Sequence, residues 1–92
     1  MDIKWDKQKN LLLKAQRGIT LKTFADMIAE GDYIARLENP TRPEQEIFLC
    51  RHKGYIYVVP FIMSAKDDIV LKTAYPSRKY HRLYGGVQSE RS

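Results

Sequence analysis

Residues 69–89 contain no acidic side chain, yet they carry Lys72, Arg78, Lys79, His81 and Arg82, interleaved with Tyr75, Tyr80 and Tyr84. Cations neutralise phosphates and release their counterions, while aromatic rings stack on unpaired bases. The planar guanidinium fork of arginine also matches a phosphate with two parallel hydrogen bonds. This mixture suits single-stranded RNA. Without a ligand, the same residues read as a solvated basic helix end.

Two further groups of cations stand apart from this stretch. Arg51, His52 and Lys53 are consecutive, and alternation along a strand sends Arg51 and His52 to opposite faces, so one of the two faces any open surface. Near the N-terminus, Lys4, Lys7, Lys9, Lys14 and Arg17 are opposed almost only by Asp6. Spacings of three and four can gather such residues into a stripe, which is also how an ordinary solvated helix looks. His52 and His81 are the only imidazoles. A pair of histidines could act as base and acid in RNA cleavage, where the ribose 2′-hydroxyl is the nucleophile. Crowded Lys and Arg side chains could serve instead, by stabilising a pentacoordinate phosphate and shifting a neighbour's pKa.

The sequence has no glycine-rich phosphate loop, no His-Glu-x-x-His and no glycine-flanked serine, so nucleotide-loop, zincin and serine-elbow chemistry are not expected. No cofactor and no metal are expected. The single cysteine, Cys50, cannot form an internal disulfide or a zinc site, and its apolar surroundings suit a buried small hydrophobe. The absence of a disulfide framework favours a cytoplasmic setting. Residues 1–6 are too polar for a signal peptide, and the longest apolar run, residues 55–63, is too short to cross a bilayer.

The formal net charge of +5 and the pI of about 9.4 attract polyanions, with nucleic acid ahead of membranes and acidic proteins. A chain of 92 residues, 43% of them hydrophobic and 29% charged, has room for one domain with one modest core.

The elements that must position these residues can be read along the chain. Asp6 caps a first helix to about residue 17, with Leu11, Leu12, Leu13 and Ala15 as its buried stripe and Gly18 as its stop. Thr20 caps a second helix, in which Leu21, Phe24, Ala25 and Ile28 form an apolar face and Gly31 ends the run. Strands follow at 32–38, 46–52, 55–62 and 69–75, separated by the Pro40–Pro43 loop, the Lys53-Gly54 turn and the turn at 66–68. Pro60 marks an edge or a bulge. Ser77 caps a short final helix to about Tyr84, so the ordered core spans 3–84 and a flexible tail 85–92. The expected architecture is α+β: two N-terminal helices on one face of an antiparallel sheet of about four strands, with the other face open to a ligand. Lys72 would lie on a sheet face shared with Val70 and Ala74.

Several local strings also carry a resemblance. Lys4-Trp5-Asp6 with Lys9, the Arg17-Gly18-Ile19-Thr20-Leu21 junction, and Ser77-Arg78-Lys79 with Tyr84 resemble the BrnT-like toxins of bacterial type II toxin–antitoxin systems, which share the RelE/ParE fold. Arg17 stands at the family's histidine position, Leu13 replaces its asparagine, and residues 73–79 form a longer, proline-containing approach to Arg78. The resemblance implies a metal-independent endoribonuclease that inhibits translation and is neutralised by a cognate antitoxin. It implies RNA and the antitoxin as partners, and leaves open the ribosome and a heterotetramer with the antitoxin. In this reading Arg78, Lys72, His81, His52 and Arg51 are the catalytic candidates. Arg17, Lys79, Arg82, Tyr75, Tyr80 and Tyr84 are the RNA-binding ones. A non-catalytic RNA- or DNA-binding regulator, or an interaction protein with no nucleic-acid role, would use the same surface without a positioned acid or base.

Overall fold

The computed structural model describes residues 2–90, and side chains from residue 2 to residue 85. Nine elements follow in order: β1 (Ile3–Trp5), α1 (Lys7–Arg17), α2 (Leu21–Ala29), β2 (Ala35–Glu38), β3 (Glu46–His52), β4 (Tyr55–Met63), β5 (Ile69–Leu71), β6 (Tyr75–Pro76) and α3 (Arg78–Glu90). No helix among the described residues is long and apolar enough to cross a membrane.

The two N-terminal helices form where expected. Asp6 Oδ1 accepts from the backbone N–H groups of Gln8 at 2.7 Å and Lys9 at 3.3 Å, and Gly18 closes α1 at φ 67°. The stripe is narrower than expected: Leu13 is buried, whereas Leu11 and Leu12 are exposed. The cap of α2 is also different. Thr20 makes no side-chain cap bond, because its hydroxyl pairs with that of Thr23 at 3.1 Å. Asn10 of α1 reaches across instead, and its Oδ1 accepts from Leu21 N–H at 2.6 Å.

The sheet is mixed, with six strands in the order β1-β5-β4-β3-β2 and β6 paired to β4. Two strands beyond the expected four are too short to carry a period. β1 runs parallel to β5, with Ile3 opposite Ile69 and Trp5 opposite Leu71. β6 pairs Tyr75 with Val58. The stretch read as one strand over 69–75 is therefore β5, a link at 72–74 and β6. Since the strand stops at Leu71, Lys72 does not share a face with Val70 and Ala74: Ala74 is buried in the helix-covered core and Lys72 is exposed.

Pro60 lies in β4, an interior strand, opposite Ile47 of β3. Its carbonyl oxygen accepts from Lys72 N–H at 2.8 Å. In a strand the N and C=O of one residue point to the same side, so the ring nitrogen faces the break between β5 and β6, where no ladder bond is lost.

Both faces of the sheet are covered. Leu13, Leu21, Phe24, Ala25 and Ile28 of α1 and α2 pack on Phe48, Cys50, Val59, Phe61 and Leu71. On the other face Ile47, Leu49, Ile56 and Val58 meet Tyr80 and Tyr84 of α3. This corrects the expectation of an open sheet face. It also corrects the expected end of the last helix, which passes through Gly85 and continues to Glu90. Of the expected tail, residues 91–92 lie outside the described residues.

The N-terminal strand is held by one buried carboxylate. Asp68 Oδ1 accepts from Asp2 N–H at 2.9 Å, and Lys4 Nζ stands 3.0 Å from Oδ2. Asp2 O in turn accepts from Ile69 N–H at 2.8 Å. These hydrogen bonds, first that from Asp2 and then that from Lys4, hold the Asp68 carboxyl below its ordinary value. The stabilisation is full above the unfolded value of 3.8 and is lost as pH falls through the lower folded value. Trp5, the single tryptophan, reports on this strand. Asp68→Asn should red-shift Trp5 emission at neutral pH and speed amide exchange at Lys4 and Trp5, with little change in β3. In the unmutated protein the same red shift should appear on acidification below about pH 4.

Candidate nucleic-acid interface

Ser77 sets the position of the basic helix. Its N–H donates to Ile56 O at 3.0 Å, tying the helix start to β4, and its Oγ accepts from Tyr80 N–H at 3.2 Å. Arg78 is thus the first residue of α3, and no acidic residue occupies that first turn. Helical spacing then sorts the rest. Tyr80 and Tyr84, four apart, turn inward onto the sheet, so they anchor the helix rather than offer free rings. Arg78, Lys79 and Arg82 are exposed. Lys79 Nζ lies 5.3 Å from the Tyr80 ring centroid, a cation–π contact that orients it. Tyr75 of β6 is the exposed ring of the group. Burial, then neighbouring Tyr80, raises its phenol pKa.

Arg51 and His52 do point to opposite faces. Arg51 lies on the α3 side, where Nη2 donates to Gly85 O at 3.1 Å and Nη1 to Gly54 O at 3.5 Å. Its guanidinium thereby joins the β3–β4 turn to the middle of α3. An arginine whose guanidinium donates to carbonyls at both ends is a strut, and a guanidinium offers donors and no acceptor. His52 faces α2, with its ring 5.5 Å from Phe24 and 5.6 Å from Tyr57. Burial, then Lys53, lowers its pKa, so it is neutral at pH 7.

His81 lies on α3, and its ring pairs with Tyr55 whereas that of His52 pairs with Phe24 and Tyr57, so the two imidazoles are packed by different partners and not against each other. The His81 ring stacks on Tyr55, with centroids 4.1 Å apart and planes 14° apart. A side-chain carbon at Gly85 would lie 3.2 Å from this ring, which explains a glycine one turn after the histidine. Arg51 Nε, a donor, and His81 Nδ1 are both buried without a hydrogen-bond partner, and both belong to side chains that abut Gly85. Tyr55 and Gly85 are the supporting residues that sequence reading missed. The available signal was the first glycine of the Gly85-Gly86 pair, four residues after a histidine in a helical pattern.

Arg17 ends α1, in the layer of α1 and α2 and not that of α3, and is exposed. Lys72 is exposed at the β5–β6 link. Cys50 is buried, and burial, then Asp32, pushes its thiol up to about 12, which leaves it unreactive.

Two substitutions separate support from chemistry. Arg51→Ala should cost about 1.5–3 kcal/mol in a denaturant melt, the range for a hydrogen bond from a charged donor. For His52, the folded state resists protonation more than the unfolded chain does, whose histidine titrates near 6.5. Stability is therefore full above that value and declines as pH falls below it toward the folded value. His52→Phe, which keeps a ring against Phe24, should flatten the melting temperature between about pH 7 and pH 5.

No family model and no curated protein matches the sequence. Among solved structures, the fold resembles the crystal structure of the Brucella abortus ribonuclease toxin BrnT, with a TM-score of 0.62 and 22% identity over 84% of this chain and 96% of that one. The structure therefore places the chain in the BrnT fold.

Proposed function

We propose that the chain is the toxin of a type II toxin–antitoxin pair, a metal-independent endoribonuclease that cuts RNA, inhibits translation and is neutralised by a cognate antitoxin. The observation that carries this reading is the fold shared with a ribonuclease toxin over 84% of the chain. The exposed Arg78, Lys79 and Arg82 on one helix support it.

In this mechanism the 2′-hydroxyl oxygen attacks the adjacent phosphorus and the bond to the 5′ oxygen breaks, leaving a 2′,3′-cyclic phosphate and a 5′-hydroxyl. Arg78 holds the phosphate and stabilises the charge of the pentacoordinate state, with helix N–H groups behind it. His81, fixed by Tyr55 and Gly85, exchanges a proton with the reacting oxygens. Lys79 and Arg82 engage flanking phosphates, Lys72 adds positive potential, and Tyr75 stacks on a base. Arg51 positions α3, and His52 and Arg17 act outside the site. The antitoxin covers the α3 side and neutralises its cations.

A second reading is a non-catalytic nucleic-acid-binding regulator. The different packing of His52, against Phe24 and Tyr57, and of His81, against Tyr55, favours it, because neither ring is packed against the other. Arg78→Ala decides between them. A cation in the first helical turn opposes the macrodipole by about 0.3–1 kcal/mol, so the variant should melt at the same temperature or slightly higher. Loss of a charge-assisted phosphate contact, worth about 1.5–3 kcal/mol, should lower RNA cleavage and growth inhibition at least about tenfold. Lys66→Ala, in an exposed turn, should change neither. RNA that is bound by the unmutated protein but never acquires cyclic-phosphate ends would favour the regulator.

A further inference from the structure

A second cationic surface lies beside Tyr75. The β2–β3 loop at 39–45, the β5–β6 link and the start of α1 enclose a groove of about 270 Å³, into which Lys9, Arg42 and Lys72 project with no carboxylate in its lining. Arg42 has Glu44 at 4.0 Å, a separation at which exposed charges interact weakly. Among the described residues, no carboxylate pairs with Lys9 or Lys72.

Three acceptors around the groove are already engaged. Asn39 Oδ1 accepts from both Thr41 N–H and the Thr41 hydroxyl, each at 3.1 Å. Gln45 Oε1 accepts from Asn39 Nδ2 at 3.2 Å. The Pro60 carbonyl oxygen accepts from Lys72 N–H at 2.8 Å, and proline leaves no N–H of its own to satisfy. With three cations and no carboxylate in its lining, the groove offers a ligand chiefly donors and positive charge, the complement of a phosphate diester. Its volume is below the roughly 300–1,000 Å³ of pockets for larger organic ligands and suits one sugar-phosphate unit. Tyr75 lines the groove and lies three residues before Arg78, which places the groove next to the start of α3.

We infer that this groove is a phosphate-binding subsite for the backbone of single-stranded RNA, flanking the α3 surface. The inference rests on the RNA reading above and extends it to Lys9 and Arg42. Together, the two surfaces let one strand pass from Arg78 over Tyr75 to Lys72.

The test is fluorescence anisotropy with a labelled 2′-O-methyl oligouridine, which binds but cannot be cut through the 2′ oxygen. A variant with Lys9→Gln, Arg42→Gln and Lys72→Gln is compared with one carrying Lys14→Gln, Lys22→Gln and Lys66→Gln, which loses the same charge elsewhere. Three lost contacts should make the slope of log affinity against log salt shallower by about 2, from about 0.7 per phosphate on single strands. The control variant should keep the slope. Lys72→Gln alone, on an exposed side chain, should give about a third of the change and guards against misfolding of the triple variant. Equal loss of slope in both triple variants would mean that the charge acts diffusely and would overturn the subsite. Unmutated protein that cuts RNA while the groove variant binds the probe unchanged would overturn the subsite alone. Unmutated protein that neither binds nor cuts RNA would overturn the underlying reading.

Discussion

The register of β3 against β4 runs unbroken from Glu46 opposite Phe61 to His52 opposite Tyr55, and both faces of this pair are apolar. Phe48, Cys50, Val59 and Phe61 point one way, and Ile47, Leu49, Ile56 and Val58 the other. A ribbon that is apolar on both sides cannot leave either face in water, since burying a large aliphatic or aromatic side chain is worth about 1.5–3 kcal/mol. Two helical layers are therefore required. The second layer is the helix that carries Arg78, so the geometry of the basic surface follows from the packing needs of the sheet.

This dependence explains the arrangement around Gly85. α3 presents two tyrosines to the sheet and its cations to solvent, and something must hold its position along the strands. Ser77 does so at the start, through Ile56. Arg51 does so about two turns further on, through Gly85. His81 is caught between these two ties with its ring flat on Tyr55. In the function proposed above, an imidazole held this way beside the cationic first turn supplies the pre-organisation that proton transfer requires, because the groups need not reorganise as charge develops.

Much of this was legible in the residues. Asp6, Gly18 and Ser77 mark helix ends through capping chemistry, which is local. β3 and most of β4 show in their aromatic and β-branched content. The resemblance to BrnT-like toxins matches the fold that the chain adopts. The three-residue β1 was not legible, because its parallel partner lies 66 positions away and too few residues are involved to show a period. The covered second face could have been read: Ile47, Phe48, Leu49 and Cys50 are four consecutive apolar residues, whereas a half-buried strand alternates. Within the site, the exposed cations of α3 were legible. The inward turn of Tyr80 and Tyr84 and the strut role of Arg51 depend on where α3 docks, which no local pattern encodes.

The parallel pairing of β1 with β5 also bears on the order in which the molecule can be completed during synthesis. At about 5–20 residues per second, the three residues that receive β1 leave the peptidyl transferase centre several seconds after β1 itself. Until then Trp5 and Ile3 have no strand to join, and the edge of the sheet next to β5 does not exist. A contact between segments so distant in the chain also slows folding once both are present. β1 is thus seated only after β5 has been made, although it precedes β5 by 66 positions in the chain.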